Sequence, residues 1–571
     1  MRPPACLVRS RPWGRLILSL LVVLPLLGAR PAAAEEQETF EKAHERYEAW
    51  VRRATLHKRN MARERLARTG DARALPILIR DYDKPETPKD HVRYLVATMA
   101  ATWLGHDAKL LPQWIGWRKR YAQPSHAWLW YQTSQVEARL RGKEAGDALA
   151  AADDEPLLQA AALRSLADAF AGKPQAPAVA DLALALGLAL PKAPDDRGAV
   201  VEAQALVLAT LKLPWKEAKA VQLAEQLIGS LADKTLPERS RLVVARALGR
   251  AFASEAIDLD PEIWRRELAA AQSGTPPTAP PPDRYAGPRF VGLPTSGKRI
   301  VYVIDLSDSM LIPLVGAEKE SLQKPATPKE GTPAAPKPAD DLPWDKIATR
   351  FDAARECLKA SLQRLDKERR FCVVIFGDKA ELLESTPQLM AATTKAIKAT
   401  IRELDQLELR STKKTAAAPH GELRGATNLH GGLRMAFQVG SKGLVETNEH
   451  VDAKLLEDGC DTIFLLSDGV PSWDDFEATE VPDPEDQPAN PESKADTERT
   501  PTMTYDGPYG QFHATGDYLV QDVRRMNLLR NAEIHVVAVG EADDLLLARI
   551  ADLGLGKVRR VGAAPGEPAP R

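Results

Sequence analysis

Residues 299 to 310 read Arg-Ile-Val-Tyr-Val-Ile-Asp-Leu-Ser-Asp-Ser-Met. The run Ile300 to Ile304 is apolar and rich in β-branched residues, which predicts a strand buried in a sheet. It ends abruptly in Asp305, Ser307, Asp308 and Ser309. In an open α/β sheet, ligands bind beyond the carboxyl ends of the strands, so a cluster of hydroxyls and carboxylates at that point calls for a chemical role.

Working outward, three further runs have the same character: Phe371 to Phe376, Thr462 to Leu466 and Glu533 to Val539. Their alternation with helical patterns predicts a mostly parallel α/β sheet. Trp344 to Leu365 reads as the first helix of this part, RRFCVVIFGDKAELL as a strand and hairpin, and EIHVVAVG followed by KVRRVG as the last strands. Two more polar clusters stand at element ends. Gly425-Ala426-Thr427-Asn428 opens a helix continuing through Leu433 and Phe437, and Ser467-Asp468-Gly469-Val470-Pro471 closes the run DTIFLL.

Together the three clusters resemble the metal-ion-dependent adhesion site (MIDAS) of the von Willebrand factor type A (VWA) family: D-x-S-x-S, a distant Thr, then a distant Asp in an SDG turn. Asp305, Ser307, Ser309, Thr427 and Asp468 match all five positions. The resemblance covers residues 289–565, nearly half the chain, and implies a doubly wound, Rossmann-like α/β domain. It implies that Ser307 and Ser309 ligate a metal directly, Thr427 directly or through water, and Asp305 and Asp468 mainly through waters. A partner's carboxylate then fills the open position. Such an all-oxygen set suits Mg²⁺, which keeps part of its hydration shell, with Mn²⁺ or Ca²⁺ as alternatives. Asp308 stands where many members have Gly; it either adds charge near the ion, favouring Ca²⁺ or Mn²⁺, or is solvated. The function implied is metal-dependent binding of a protein that presents an acidic residue, not enzymatic catalysis.

Other chemistries fit less well. Gly292 to Arg299 (GLPTSGKR) almost spells a phosphate-binding loop, but Arg299 replaces the magnesium-binding hydroxyl and a strand follows where a helix N-terminus is needed. A phosphatase-like hydrolase would use Asp305 as nucleophile and want an acid two residues on, where Ser307 stands. A scaffold whose metal only shapes the loop is the third alternative.

The region from Glu35 to Gln272 is rich in Ala, Leu, Arg and Glu, with apolar residues three and four apart, and predicts an all-helical region. Leu163–Phe170, Gln204–Leu211 and Ala245–Phe252 begin 41 residues apart, a period that suits stacked helix pairs. The region resembles HEAT-like repeats; an irregular bundle is the alternative. Trp103, Trp114, Trp117, Trp128 and Trp130 are expected to pack in its core. Residues 273–288 (SGTPPTAPPPDRYAGP) form a proline-rich linker.

Within 289–565, residues 311–343, 408–423 and 474–510 are polar, proline-rich insertions expected to be mobile loops rimming the metal. The third has ten carboxylates from Asp474 to Glu498 against one lysine, and it either steers a basic partner, plugs the site, or is a tolerated surface segment. Residues 566–571 are a short tail. The formal net charge of −2 supplies no reason to expect nucleic acid as the partner. Cys357, Cys372 and Cys460, an odd number once Cys6 is removed, make no disulfide framework and read as buried hydrophobes.

At the N-terminus Arg2, Arg9, Arg11 and Arg15 precede the apolar run Leu16 to Ala29, and Ala32-Ala33-Ala34 follows. This is the pattern of a secretory signal, residues 1–34, giving a secreted or periplasmic protein with no stable membrane span after cleavage. N-terminal sequencing of exported material is expected to begin at Glu35, and recovery of intact Met1 in membranes would show an anchor instead.

Overall fold

A computed structural model describes residues 38–276, 288–323, 342–407, 427–445, 456–471 and 517–562, apart from short gaps within these ranges. The proposed signal segment, most of the proline-rich stretch 273–288, residues 324–341 of the first insertion, and the insertions 408–423 and 474–510 lie outside the described residues. The chain forms an all-helical region followed by an α/β part with a mixed, mostly parallel sheet.

The helical region comprises α1 (Phe40–Trp50), α2 (Leu56–Arg68), α3 (Ala74–Asp83), α4 (Arg93–Leu104), α5 (Leu111–Lys119), α6 (Ala127–Arg141), α7 (Pro156–Phe170), α8 (Ala176–Leu188), α9 (Pro194–Leu211), α10 (Ala218–Leu231), α11 (Glu238–Phe252) and α12 (Pro261–Ser273). Proline at the first turn starts α7, α9 and α12, where its missing N–H is no loss. The helices fall into two rows. In the inner row α2, α4, α6, α7, α9 and α11 pack side by side in that order, while α8, α10 and α12 pack as the outer row behind the last three. The segments spaced 41 residues apart lie in α7, α9 and α11, successive members of the inner row. Buried alanines such as Ala161, Ala167, Ala203, Ala205 and Ala247 let these helices approach closely. Trp114, Trp117, Trp128 and Trp130 are buried in the core, as expected of them, with Trp103 at its margin.

The α/β part opens with a hairpin, β1 (Arg289–Phe290) and β2 (Leu293–Pro294). Its other strands are β3 (Arg299–Asp305), β4 (Arg370–Phe376), β5 (Ala380–Leu382), β6 (Met390–Ala391), β7 (Val439–Gly440), β8 (Gly443–Leu444), β9 (Thr462–Ser467), β10 (Glu533–Val539) and β11 (Val558–Val561). The main sheet runs β11, β10, β9, β3, β4, β5, with β6 also on β4. Neighbours from β11 to β4 are parallel, and β5 and β6 pair antiparallel to the two ends of β4. Its helices are α13 (Gly316–Gln323), α14 (Arg350–Gln363), α15 (Thr394–Gln406), α16 (Leu429–Gln438), α17 (Asp517–Met526) and α18 (Asp544–Leu553).

Alternation along β3 and β4 sends residues to opposite faces. Ile300, Tyr302, Ile304, Val373 and Ile375 join a core with Phe351, Leu358 and Leu362 of α14. Val301, Val303 and Val374 join a second core with Leu433 of α16, Val523 of α17 and Ile550 of α18. The three described cysteines are free and buried.

Two local expectations need correction. The helix assigned from Trp344 begins at Arg350, because Thr349 and Asp352 form a capping box that fixes the start; residues Trp344–Lys346 make only one 3-10 turn. Residues 311–323 of the first proposed insertion are not loop alone: α13 lies there and packs against β11.

The inner helical row docks on the α/β part. Tyr518, Leu528 and Leu529, at and just after α17, belong to the same apolar cluster as the helical region. Successive inner helices add polar contacts. The Arg525 guanidinium lies 3.7 Å from the Tyr94 ring centre of α4. Arg524 donates to Tyr131 of α6 and to Asp168 of α7 (2.8 and 2.5 Å). Asn531 donates to Glu202 of α9 (2.6 Å), and Arg246 of α11 donates to the Asp461 carbonyl (3.1 Å). No helix among the described residues is long and apolar enough to cross a membrane.

Arg246 also lies 3.4 Å from the buried Glu533 carboxylate, which accepts a hydrogen bond from Thr295 (2.9 Å). Burial opposes ionisation of Glu533, yet its contacts with His535, Arg246 and Thr295 outweigh it and hold its pKa down to about 2. A depressed carboxylate pKa contributes stability above the unfolded value near 4.5, and that stability is lost as pH falls toward 2. Arg246→Ala leaves a buried charge short of a partner and is expected to cost about 3–5 kcal/mol at neutral pH. Glu533→Gln is expected to flatten the loss of stability between pH 4.5 and 2. Urea denaturation across that range checks both, and parallel curves for wild type and Glu533→Gln would refute the assignment.

Candidate functional site

The chain runs from β3 outward to β4 on one side, then returns across β3 to place β9 on its other side. The direction of winding therefore reverses between β3 and β9, and a crevice at the carboxyl ends of two such strands is where open α/β sheets bind ligands. Asp305 closes β3 and Ser467 closes β9, so the first and third polar clusters meet at that reversal.

Asp305 is fully buried, and both its oxygens are engaged. Oδ1 accepts the Ser307 backbone N–H (2.8 Å) and Oδ2 accepts the Ser467 hydroxyl (2.6 Å). Ser307 keeps an extended backbone and caps the 3-10 turn Asp308–Leu311, which turns the chain back over the strand end. The Ser309 hydroxyl donates to Asp468 Oδ1 (2.7 Å). It has one proton to give, so in the 3.0 Å contact between the two serine hydroxyls Ser307 is the donor. The result is a directed chain, Ser307 to Ser309 to Asp468. The protons point toward the carboxylate, and lone pairs on the hydroxyl oxygens are left to accept from, or bind, an electropositive group.

Thr427 is buried at the same end of the sheet. The Leu306 N–H donates to the Phe376 carbonyl (2.7 Å) and the Asn428 N–H donates to the Gly377 carbonyl (2.6 Å), so both loops are fastened to consecutive residues at the end of β4. Asn428 then caps α16 through Oδ1 and the Gly431 N–H (2.7 Å). Of the five residues marked in the sequence, hydrogen bonds connect Ser307 with Asp305 and with Ser309, and Ser309 with Asp468. Thr427 reaches the same strand ends through its neighbour's backbone.

Arg350, Glu318 and Ser467 complete the cluster and were not singled out in the sequence. Arg350 is the first residue of α14 and donates through Nη1 to Asp468 Oδ2 (3.0 Å). Its other edge grips Glu318 of α13 at both carboxylate oxygens (2.7 and 3.2 Å). Gly540, at φ +62°, gives the guanidinium room, since a Cβ there would stand 2.3 Å from Arg350 Cζ. The Thr349-x-x-Asp352 spacing is a signal that could have placed residue 350 at a helix start, but nothing in the sequence near Glu318 marks it as Arg350's partner. Ser467 stood in view within the SDG turn.

Burial pushes the Asp305 carboxyl well above the usual carboxylate range, and the nearby Asp468 charge adds to the effect. Burial raises Asp468 too, against the opposing hydrogen bonds from Ser309 and Arg350. When ionised, Asp305, Asp468 and Glu318 carry three negative charges against one on Arg350, a balance of −2 that one divalent cation would match. Among the described residues no group of three or more His, Cys, Asp or Glu side chains is arranged to hold a metal. The donors here are hydroxyls with two carboxylates, a set that fits a hard ion retaining water, not a soft one.

No protein-family model matches the chain, and no curated protein matches it.

The Ser467 to Asp305 hydrogen bond is internal to the sheet. Ser467→Ala is expected to lower stability by about 1–3 kcal/mol, because it strips a buried carboxylate oxygen of its donor. Chemical denaturation checks this, and a stability equal to wild type would remove Ser467 from the cluster.

Proposed function

We propose that the β3/β9 cluster is a metal-ion-dependent adhesion site and that the protein binds a partner through it. On this reading the α/β part is a doubly wound VWA domain and the helical region a HEAT-like array. The observation that carries it is the Ser307–Ser309–Asp468 chain beside Asp305, at the reversal of the sheet. The hydroxyl oxygens of Ser307, Ser309 and Thr427 would hold Mg²⁺, or Mn²⁺ or Ca²⁺, with Asp305 and Asp468 supplying charge. The bound ion would supply an electrophilic position that accepts a carboxylate oxygen from an acidic residue of the partner. This is recognition without bond making, so the protein acts as a binding protein and not as an enzyme. Export to the periplasm or exterior, inferred from residues 1–34, accords with adhesion to another protein.

A purely structural metal draws support from one feature. Arg350 and Glu318 tie Asp468 to α13 and α14, so an ion beside Asp468 would also stiffen that junction.

The full chain is expected to bind one Mn²⁺ or Mg²⁺ by calorimetry, and Asp305→Ala is expected to abolish binding while circular dichroism is unchanged. Binding undiminished in Asp305→Ala would overturn the site. With Mn²⁺ bound, added glutarate is expected to lower water-proton relaxivity by displacing coordinated water. Metal binding with no response to glutarate would favour the structural role.

A further inference from the structure

Arg350 does more at this site than brace a loop. Its guanidinium donates to Asp468 Oδ2 at 3.0 Å while Ser309 donates to Oδ1 at 2.7 Å, so each oxygen already spends one of its two lone-pair sites on a protein donor, which weakens Asp468 as a bidentate ligand. Bidentate carboxylates and high coordination number favour Ca²⁺, whereas hydroxyls and retained water favour the smaller Mg²⁺. The same guanidinium supplies the only positive side-chain charge among the hydrogen-bonded described residues Asp305, Ser307, Ser309, Ser467, Asp468 and Glu318, and its own side chain is 8% exposed. Little solvent is available there to screen it. Asp308, half-buried at the rim, is closer to water and weighs less.

Resting on the adhesion-site reading above, we propose that Arg350 is the specificity-determining residue of the ion site: it sets the charge and size of the cation accepted, holding the hydrogen-bonded cluster at −2 when its carboxylates are ionised and disfavouring bidentate use of Asp468 by larger ions. Glu318 is its counterweight. Its carboxylate holds the guanidinium in place through two hydrogen bonds and restores the negative charge that Arg350 removes. Gly540 is the space that makes the arrangement possible. The role is one of positioning and charge, and no bond to the ion is required of Arg350.

Charge and structure make opposite forecasts for two substitutions. Arg350→Met leaves three carboxylates unopposed, and Glu318→Gln leaves two opposed by one guanidinium. On the proposal, the affinity ratio of Tb³⁺ to Mg²⁺ rises at least about tenfold in Arg350→Met and falls by a similar factor in Glu318→Gln. The ratio of Ca²⁺ to Mg²⁺ also rises in Arg350→Met. Arg350→Lys keeps the charge and returns the Tb³⁺ ratio toward wild type. The measurement is terbium luminescence on the full chain, titrated competitively with Mg²⁺ and Ca²⁺, with circular dichroism confirming the fold. If Arg350→Met does not fold, Glu318→Gln and Arg350→Lys decide the matter alone. Equal loss of affinity for every ion in the variants, or unchanged ratios, would overturn the proposal while leaving the metal site standing. Absence of Mg²⁺, Ca²⁺ and Tb³⁺ binding in the folded wild type would instead overturn the adhesion-site reading itself.

Discussion

Two carboxylates buried side by side at the ends of adjacent parallel strands are the constraint to which this half of the molecule is fitted. Asp305 and Asp468 sit where the sheet reverses its winding, out of reach of solvent that could screen them. An unpaired buried charge is expensive, so every lone pair must be met locally. The surrounding features answer that demand: the 3-10 turn that brings Ser309 back, Ser467 at the end of β9, the capped start of α14 that delivers Arg350, and the glycine at 540 that admits it. One guanidinium does not balance three ionised carboxylates, and that excess negative charge is what the proposed ion site rests on.

At the opposite ends of the strands the electrostatics are closed. Asp461 accepts the backbone N–H groups of Lys298 and Arg299 with one oxygen (3.0 Å each), while Glu533 is met by Thr295, His535 and Arg246. His535 takes the Lys557 N–H at Nδ1 (3.2 Å), which leaves its Nε2 proton facing Glu533. α11 of the helical region packs against these groups through Arg246, and Asp461 also lines a cavity of about 580 Å³ between α11 and the strand ends. On the proposed reading the ion site lies at the end where negative charge is in excess, while the helical region packs at the other end.

Strand positions were readable because apolar β-branched runs of fixed length leave few alternatives, and β3, β4, β9 and β10 fall on the runs marked in the sequence. The beginning of α14 was misjudged because apolar spacing extends back to Trp344, and only the reciprocal Thr349–Asp352 hydrogen bonds stop the helix six residues later. Local patterns also located Asp305, Ser307, Ser309 and Asp468 at strand ends. They could not reveal the partners of Asp468, since Arg350 lies 118 residues away and Glu318 32 residues from Arg350. Such pairs are fixed by how α13 and α14 cross the sheet, which is a property of packing and not of periodicity.

The helical region is part of how the second polar cluster, that of Thr427, is held. His430, on the first turn of α16 just beyond Thr427, meets Asp522 of α17 at 2.7 Å with both side chains buried. Asp522 is held strongly acidic: burial works against its charge, but Arg525 and His430 outweigh that. Arg525 in turn donates to Asp522 at 2.6 Å and lies on the Tyr94 ring of α4. An unbroken series of buried contacts thus runs from the loop of Thr427 to the inner helical row, while Arg524 anchors the same helix to α6 and α7. A series with one packed arrangement transmits position, not a signal, because signalling needs an element with two states. Its consequence is positional: a shift of α17 would break buried ion pairs, and α16, which follows Thr427, packs on β3 on one side and on α17 on the other.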